Sequence, residues 1–115
     1  MPEVGMEGHF DEKLRLIRDD GGAVVGVTAS GPVGSWESDE TSATVEVTVS
    51  KNGVTVHGST DVRKPAEKWT VALPTEGQAG LEPGGGATGV GHALFRASGK
   101  EPRVVSWTQE KIELV

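Results

Sequence analysis

The residues best suited to hold a metal or move a proton near neutral pH are the 3 histidines, His9, His57 and His92. Brought together, three imidazoles could form a zinc site. No two of them stand at a short ligand spacing, and His57 and His92 fall within extended stretches. They are therefore read as surface or structural histidines. The carboxylates of Asp19-Asp20 and of Glu37-Ser38-Asp39-Glu40 offer the hard loop oxygens that calcium uses. Their spacing fits no EF-hand loop, and solvated loop carboxylates account for them. A carboxylate pair for glycoside hydrolysis could be drawn from the same residues, but nothing sets two of them across a cleft. The serines lack a G-x-S-x-G elbow. Gly84-Gly85-Gly86 lacks the Lys and the following helix of a phosphate-cradling loop. The sequence names no catalytic residue, no metal ligand and no cofactor.

Aromatic side chains are scarce, with 3 Trp, 2 Phe and no Tyr. Trp69 and Trp107 stand in phase with apolar neighbours and are read as core. Trp36 lies in the polar run Gly34-Ser35-Trp36-Glu37-Ser38 and invites two readings. Exposed, it would serve as a sugar platform or a protein hot spot, with Glu37 and Asp39 beside it as ligand-binding candidates. The preferred alternative is that it folds back and plugs the open end of the fold.

The elements that must position these residues are strands. The chain has 17 Gly and 6 Pro without a period, which leaves few windows for a helix. Alternation of period two dominates instead. In Ala43-Thr44-Val45-Glu46-Val47-Thr48-Val49 the apolar residues share one face. Lys51-Asn52-Gly53-Val54 follows, and Asn-Gly between alternating runs signals a type I′ hairpin turn. A two-residue turn there pairs Val49 with Val56 and Val47 with Gly58.

Residues 68–73 place Trp69, Val71 and Leu73 inward. Residues 87–97 put Ala93, Phe95 and Ala97 on one face and Val90, His92 and Leu94 on the other, which suggests a central strand with a cover on its second side. Shorter candidates are residues 103–107, 111–115, 14–18 and 23–27, the last two flanking the turn signal Asp19-Asp20-Gly21-Gly22. Residues 30–42, 63–67 and 75–86 read as loops. The first ten residues carry no periodic pattern and are expected to be flexible, ahead of a single domain over residues 11–115. About seven or eight short strands with turns between them predict an all-β, immunoglobulin-like antiparallel sandwich, or a small barrel.

Residues 43–49, then Asn52-Gly53, then Trp69-Thr70-Val71-Ala72-Leu73-Pro74 resemble the bacterial immunoglobulin-like domains that recur in surface and adhesin proteins. Leu81-Glu82-Pro83-Gly84, residues 87–97 and Ser98-Gly99 continue the likeness, which covers residues 23–115. It implies a sandwich that binds without catalysing, placed at a cell surface, outside the cell or on a phage particle. Phe95-Arg96-Ala97-Ser98-Gly99-Lys100 has neither the Asp nor the Asn that many such domains carry there, so no calcium role is carried over.

Charge narrows the partners. A net charge of −6 and a pI near 5.0, without a Lys/Arg cluster, argue against nucleic acid. No stretch reaches the roughly 18 apolar residues of a membrane span, so no membrane insertion is expected. The absence of cysteine excludes disulfides and leaves the compartment open. Residues 1–7 lack the apolar core of a signal peptide, which fits work inside the cell, export by another route, or a fragment whose signal has been removed. Three functions are weighed. The first is a binding or adhesion module with a protein or carbohydrate partner. The second is a structural assembly subunit, such as a phage-like decoration or tail-associated protein. The least supported is a carbohydrate-binding module or small hydrolase using Trp36 and the loop carboxylates. Oligomeric state is not legible.

Overall fold

The computed structural model describes residues 9–11, 13–33, 36–65, 67–73, 81 and 86–115. They form seven strands: β1 (Lys13–Arg18), β2 (Val24–Pro32), β3 (Glu40–Lys51), β4 (Val54–Arg63), β5 (Lys68–Leu73), β6 (Gly86–Ala97) and β7 (Arg103–Leu114). No helix occurs among the described residues. The strands order as β4-β3-β6-β7-β1-β2-β5. The edge strands β4 and β5 lie side by side without a ladder, so the sheet curls nearly into a barrel.

The β3–β4 hairpin follows the sequence reading residue for residue. Val49 pairs with Val56 and Val47 with Gly58. Asn52 (φ 53°) and Gly53 (φ 82°) both take the left-handed conformation that the turn demands. Along β3, residues 43, 45, 47 and 49 are buried and the Thr and Glu between them face outward. Along β5, Trp69, Val71 and Leu73 are buried.

Four expectations are corrected. The sheet is mixed and not wholly antiparallel, because β1 runs parallel to β7, with Leu14 opposite Leu114. Val115 N–H donates to Leu14 O at 2.9 Å, and Leu16 N–H to Val115 O at 2.8 Å. A tight turn makes β1 antiparallel to β2, and its place between β2 and β7 then fixes its direction against β7. Residues 103–107 and 111–115 are one strand. Its inward phase slips by one residue where Lys111 adopts φ 63°, a bulge that puts both Trp107 and Ile112 inside. Residues 30–32 are not loop but the end of β2, paired with Thr70, Trp69 and Lys68. Residue 63 belongs to β4 and residues 40–42 to β3. β6 is central, as its two-faced pattern suggests, yet no described residue covers its outer side, where His92 is exposed.

Most of the N-terminal stretch expected to be flexible lies outside the described residues. Phe10, however, belongs to the core at 1% exposure. Its backbone N–H donates to the Gln109 side-chain oxygen, and Asp11 N–H donates to Ser30 O at 2.8 Å. The Phe10 ring meets Trp69 edge-on at 5.8 Å and Trp107 at 5.9 Å, while Trp69 and Trp107 lie 6.2 Å apart. Gly89 and Gly91 on β6 make the space. A Cβ on Gly89 would stand 2.7 Å from the Phe10 ring, and one on Gly91 would stand 2.3 Å from the Trp107 ring.

Phe10→Ala is expected to cost about 3–4 kcal/mol, by lost apolar burial and by the cavity left between two tryptophans. Urea unfolding followed by tryptophan fluorescence checks it. An unchanged midpoint would remove Phe10 from the core.

Candidate functional site

Trp36, Glu37 and Asp39 lie in the connection that leads into β3, and every one is engaged from within the protein. The connection closes on itself through a reciprocal pair of bonds. Glu40 N–H donates to Glu37 O at 3.1 Å, and Glu37 N–H donates to Glu40 Oε1 at 2.8 Å. Lys64, just past β4, donates to the Glu37 carbonyl at 2.7 Å and to the Ser38 carbonyl at 3.4 Å. The Asp39 carboxylate pairs with Lys100.

At the centre stands Glu40, the first residue of β3, which is charged and yet only 4% exposed. A carboxylate so placed must be paired, because stripping its water is costly. Arg103 at the start of β7 meets it with both prongs, Nε to Oε2 at 2.9 Å and Nη2 to Oε1 at 2.7 Å. Glu37 stands 3.6 Å from Arg103 Nε. Phe95, opposite Arg103 in the β6–β7 register, carries the guanidinium 4.4 Å above its ring centroid. The half-buried Trp36 ring meets the same Phe95 edge-on at 5.0 Å and 89°. Trp36 thus plugs one end of the core.

The electrostatics follow this pairing. Arg103's hydrogen bonds, followed by the Glu37 N–H bond, hold the Glu40 carboxyl below the usual glutamate range, against an opposing push from burial. The Lys100 hydrogen bond lowers Asp39, and Asp39 in turn raises Lys100. Glu40 likewise raises Arg103. Each shift stabilises an ion pair that the fold already contains.

Sequence reasoning placed Trp36, Glu37 and Asp39 together and missed Glu40, Phe95, Lys100 and Arg103 as their partners. Glu40 stood in the same acidic run, but no local signal could have paired it with Arg103, 63 positions away. The bulge between Glu40 and Ser42 also throws Glu40 out of the alternating phase that follows it.

The other candidates disperse. Asp19 Oδ1 accepts from Gly21 N–H and Ala23 N–H, each at 2.9 Å, and so shapes the β1–β2 turn. Among the described residues no three of His, Cys, Asp and Glu converge where a metal ion could sit. His57 and His92 face outward on β4 and β6 with β3 between them, and His92 Nδ1 is 2.8 Å from Ser106 Oγ. Gly84 and Gly85 lie outside the described residues.

The outward side of β4-β3-β6-β7 is a second surface. Its cross-strand rows read Asp61-Thr44-Leu94-Val104, Ser59-Glu46-His92-Ser106 and His57-Thr48-Val90-Thr108. Five of these twelve side chains carry a hydroxyl. Val104 is 57% exposed directly opposite the half-buried Leu94, and Val90 is half-buried nearby. Compared with known families, with curated proteins and with solved structures, the chain matches none.

Glu40's lowered pKa makes the pair a pH-dependent source of stability. The contribution is complete above the unfolded-state value of 4.5 and is lost as pH falls through the lower folded-state value. Glu40→Gln is expected to cost about 2 kcal/mol at neutral pH. The gap between wild type and variant should narrow in urea melts as the pH drops below 4.5. A gap independent of pH would mean that the carboxylate is not held by Arg103.

Proposed function

We propose that the chain is a non-catalytic binding module of adhesion type on an immunoglobulin-like sandwich, and that it engages a protein partner through the outward face of β4-β3-β6-β7. Support for the sandwich comes from the ladders. β4-β3-β6-β7 and β1-β2-β5 form two antiparallel sets joined at β1, which pairs with β2 on one side and β7 on the other. Labelled A, B, C, C′, E, F and G in chain order, the strands give the C′CFG and ABE groupings of an immunoglobulin-like domain.

The observation that carries the surface assignment is the apolar pair Leu94 and Val104, directly opposite each other and bordered by hydroxyl-bearing and charged side chains on the outward face. An apolar centre with a polar rim is how protein interfaces are built. The Trp36 connection offers less, because its ring and carboxylates are committed to Phe95, Arg103 and Lys100. The non-catalytic reading is supported by the four shifted groups among the described residues, which belong to structural ion pairs and so are not poised as acid or base.

Capture of partners from source-cell extract by wild type, by Leu94→Lys/Val104→Lys and by Trp36→Ala tests this reading, with sedimentation of each purified form. A partner lost with the double variant and kept by Trp36→Ala supports the face. A partner kept by the double variant overturns it. Self-association of the wild type, abolished by the double variant, would replace the adhesion reading with a structural assembly subunit that uses the same face.

A further inference from the structure

One corner of that outward face has the makings of a small-ligand site. Ser42 on β3 pairs with Arg63 of β4 on one side and with Arg96 of β6 on the other. Strand spacing puts the two arginine backbones roughly 10 Å apart with a hydroxyl between them. They line a depression of about 310 Å³ together with Thr44 and Asp61. That volume lies at the lower end of small-molecule pockets.

The side chains are arranged before any ligand arrives. Arg96 Nη1 donates to Thr44 Oγ1 at 2.7 Å, and the Thr44 hydroxyl donates onward to Asp61 Oδ1 at 2.8 Å. Arg96 is thereby held over the depression with N–H groups to spare. Neither Arg63 nor Arg96 forms an ion pair among the described residues. Among the described residues the only carboxylate lining the depression is Asp61, so in a chain of net charge −6 the two arginines leave one positive charge uncompensated there.

We propose that this notch binds a carboxylate, held by the guanidinium groups of Arg63 and Arg96 and by the Ser42 hydroxyl. Geometry admits that anion, and charge selects it over phosphate. A guanidinium fork matches the planar carboxylate in a two-bond contact. Two cations beside the Asp61 anion leave one net positive charge, which suits a monoanion and disfavours a phosphate dianion. The Thr44 hydroxyl proton is already given to Asp61, so Ser42 supplies the neutral donor. The ligand class is a small monocarboxylic acid, either a simple acid or a uronic acid.

The inference adds a ligand to the face assigned above, yet the two readings fail separately, since one depends on Leu94 and Val104 and the other on Arg63 and Arg96. The test is a backbone-amide NMR titration with sodium acetate, sodium glucuronate and sodium phosphate, at ionic strength matched with chloride. Saturable shifts confined to residues around Ser42, Thr44, Arg63 and Arg96 are expected with the carboxylates. Both Arg63→Gln and Arg96→Gln should weaken them about ten-fold. If Arg96→Gln disturbs the fold, Arg63→Gln decides, because its side chain is exposed. Saturation by glucuronate at lower concentration than acetate assigns a uronic acid, and equal saturation assigns the simple acid. No saturable shift, shifts indifferent to Arg63→Gln, or tighter binding of phosphate would overturn the proposal.

Discussion

Everything else in the fold depends on the junction of Phe10, Trp69 and Trp107. Among the described residues, hydrogen-bonded ladders join the two strand groups only through β1, and β4 and β5 meet at the far side without one. Side-chain packing must do the rest. Trp69 reaches in from β5, Trp107 from β7, and Phe10 from the segment ahead of β1. Each ring this large buries more apolar surface than a valine and holds the two strand groups together. Their bulk imposes a condition on β6, met by Gly89 and Gly91. The two tryptophans differ in polar satisfaction. Trp69 Nε1–H donates to Pro32 O at 3.0 Å, whereas among the described residues Trp107 Nε1–H is buried without an acceptor. Such a group costs about 1–3 kcal/mol, so apolar fit and not hydrogen bonding fixes where the Trp107 ring lies.

A second cluster governs the other end of the same strands. Phe95 stands six residues along β6 from Gly89, roughly 20 Å in an extended chain. There the problem is a buried carboxylate. Glu40 is tolerable because Arg103 and the Glu37 N–H satisfy its oxygens, and Arg103 is positioned by the face of Phe95. Trp36 then covers Phe95 from outside. The ion pair and the aromatic pair are therefore coupled: removing Arg103 would strand a charge and also free the ring that Trp36 rests on.

What could be read from the sequence divides along physical lines. Alternation and turn chemistry are local, so the faces of β3 and β5 and the β3–β4 hairpin were legible down to the pairing of Val47 with Gly58, though not the strand ends at Glu40 and Arg63. Direction is not encoded by a period of two, which is why the parallel β1–β7 pair was missed. A one-residue slip at Lys111 broke the phase of β7 and made one strand look like two. Phe10 was lost because a single aromatic in an aperiodic, acidic segment carries no pattern; its burial depends on contacts about sixty and a hundred residues away. Of the candidate site, the type and proximity of Trp36, Glu37 and Asp39 were legible, but their partners were not. Pairing between Glu40 and Arg103, or of both Arg63 and Arg96 with Ser42, exists only once the register is set.

The contrast between the two surfaces bears on the proposed binding role. To offer the Trp36 ring to a ligand, the connection into β3 would have to release its edge-to-face contact with Phe95, and the exposed Glu37 and Asp39 carboxylates would have to give up their pairs with Arg103 and Lys100. Each release subtracts from the affinity gained, because ordering and desolvation costs are charged against contact energy. The face of β4-β3-β6-β7 needs no such opening. Its backbone is fixed by three consecutive antiparallel ladders, and its side chains already stand outward. A rigid sheet presenting a preset row of groups keeps its shape on binding. The same ladders that bury the valines of β3 therefore hold Leu94 opposite Val104, and Arg63 and Arg96 opposite Ser42. Core and surface are two sides of one register, so a shift of one residue would undo both.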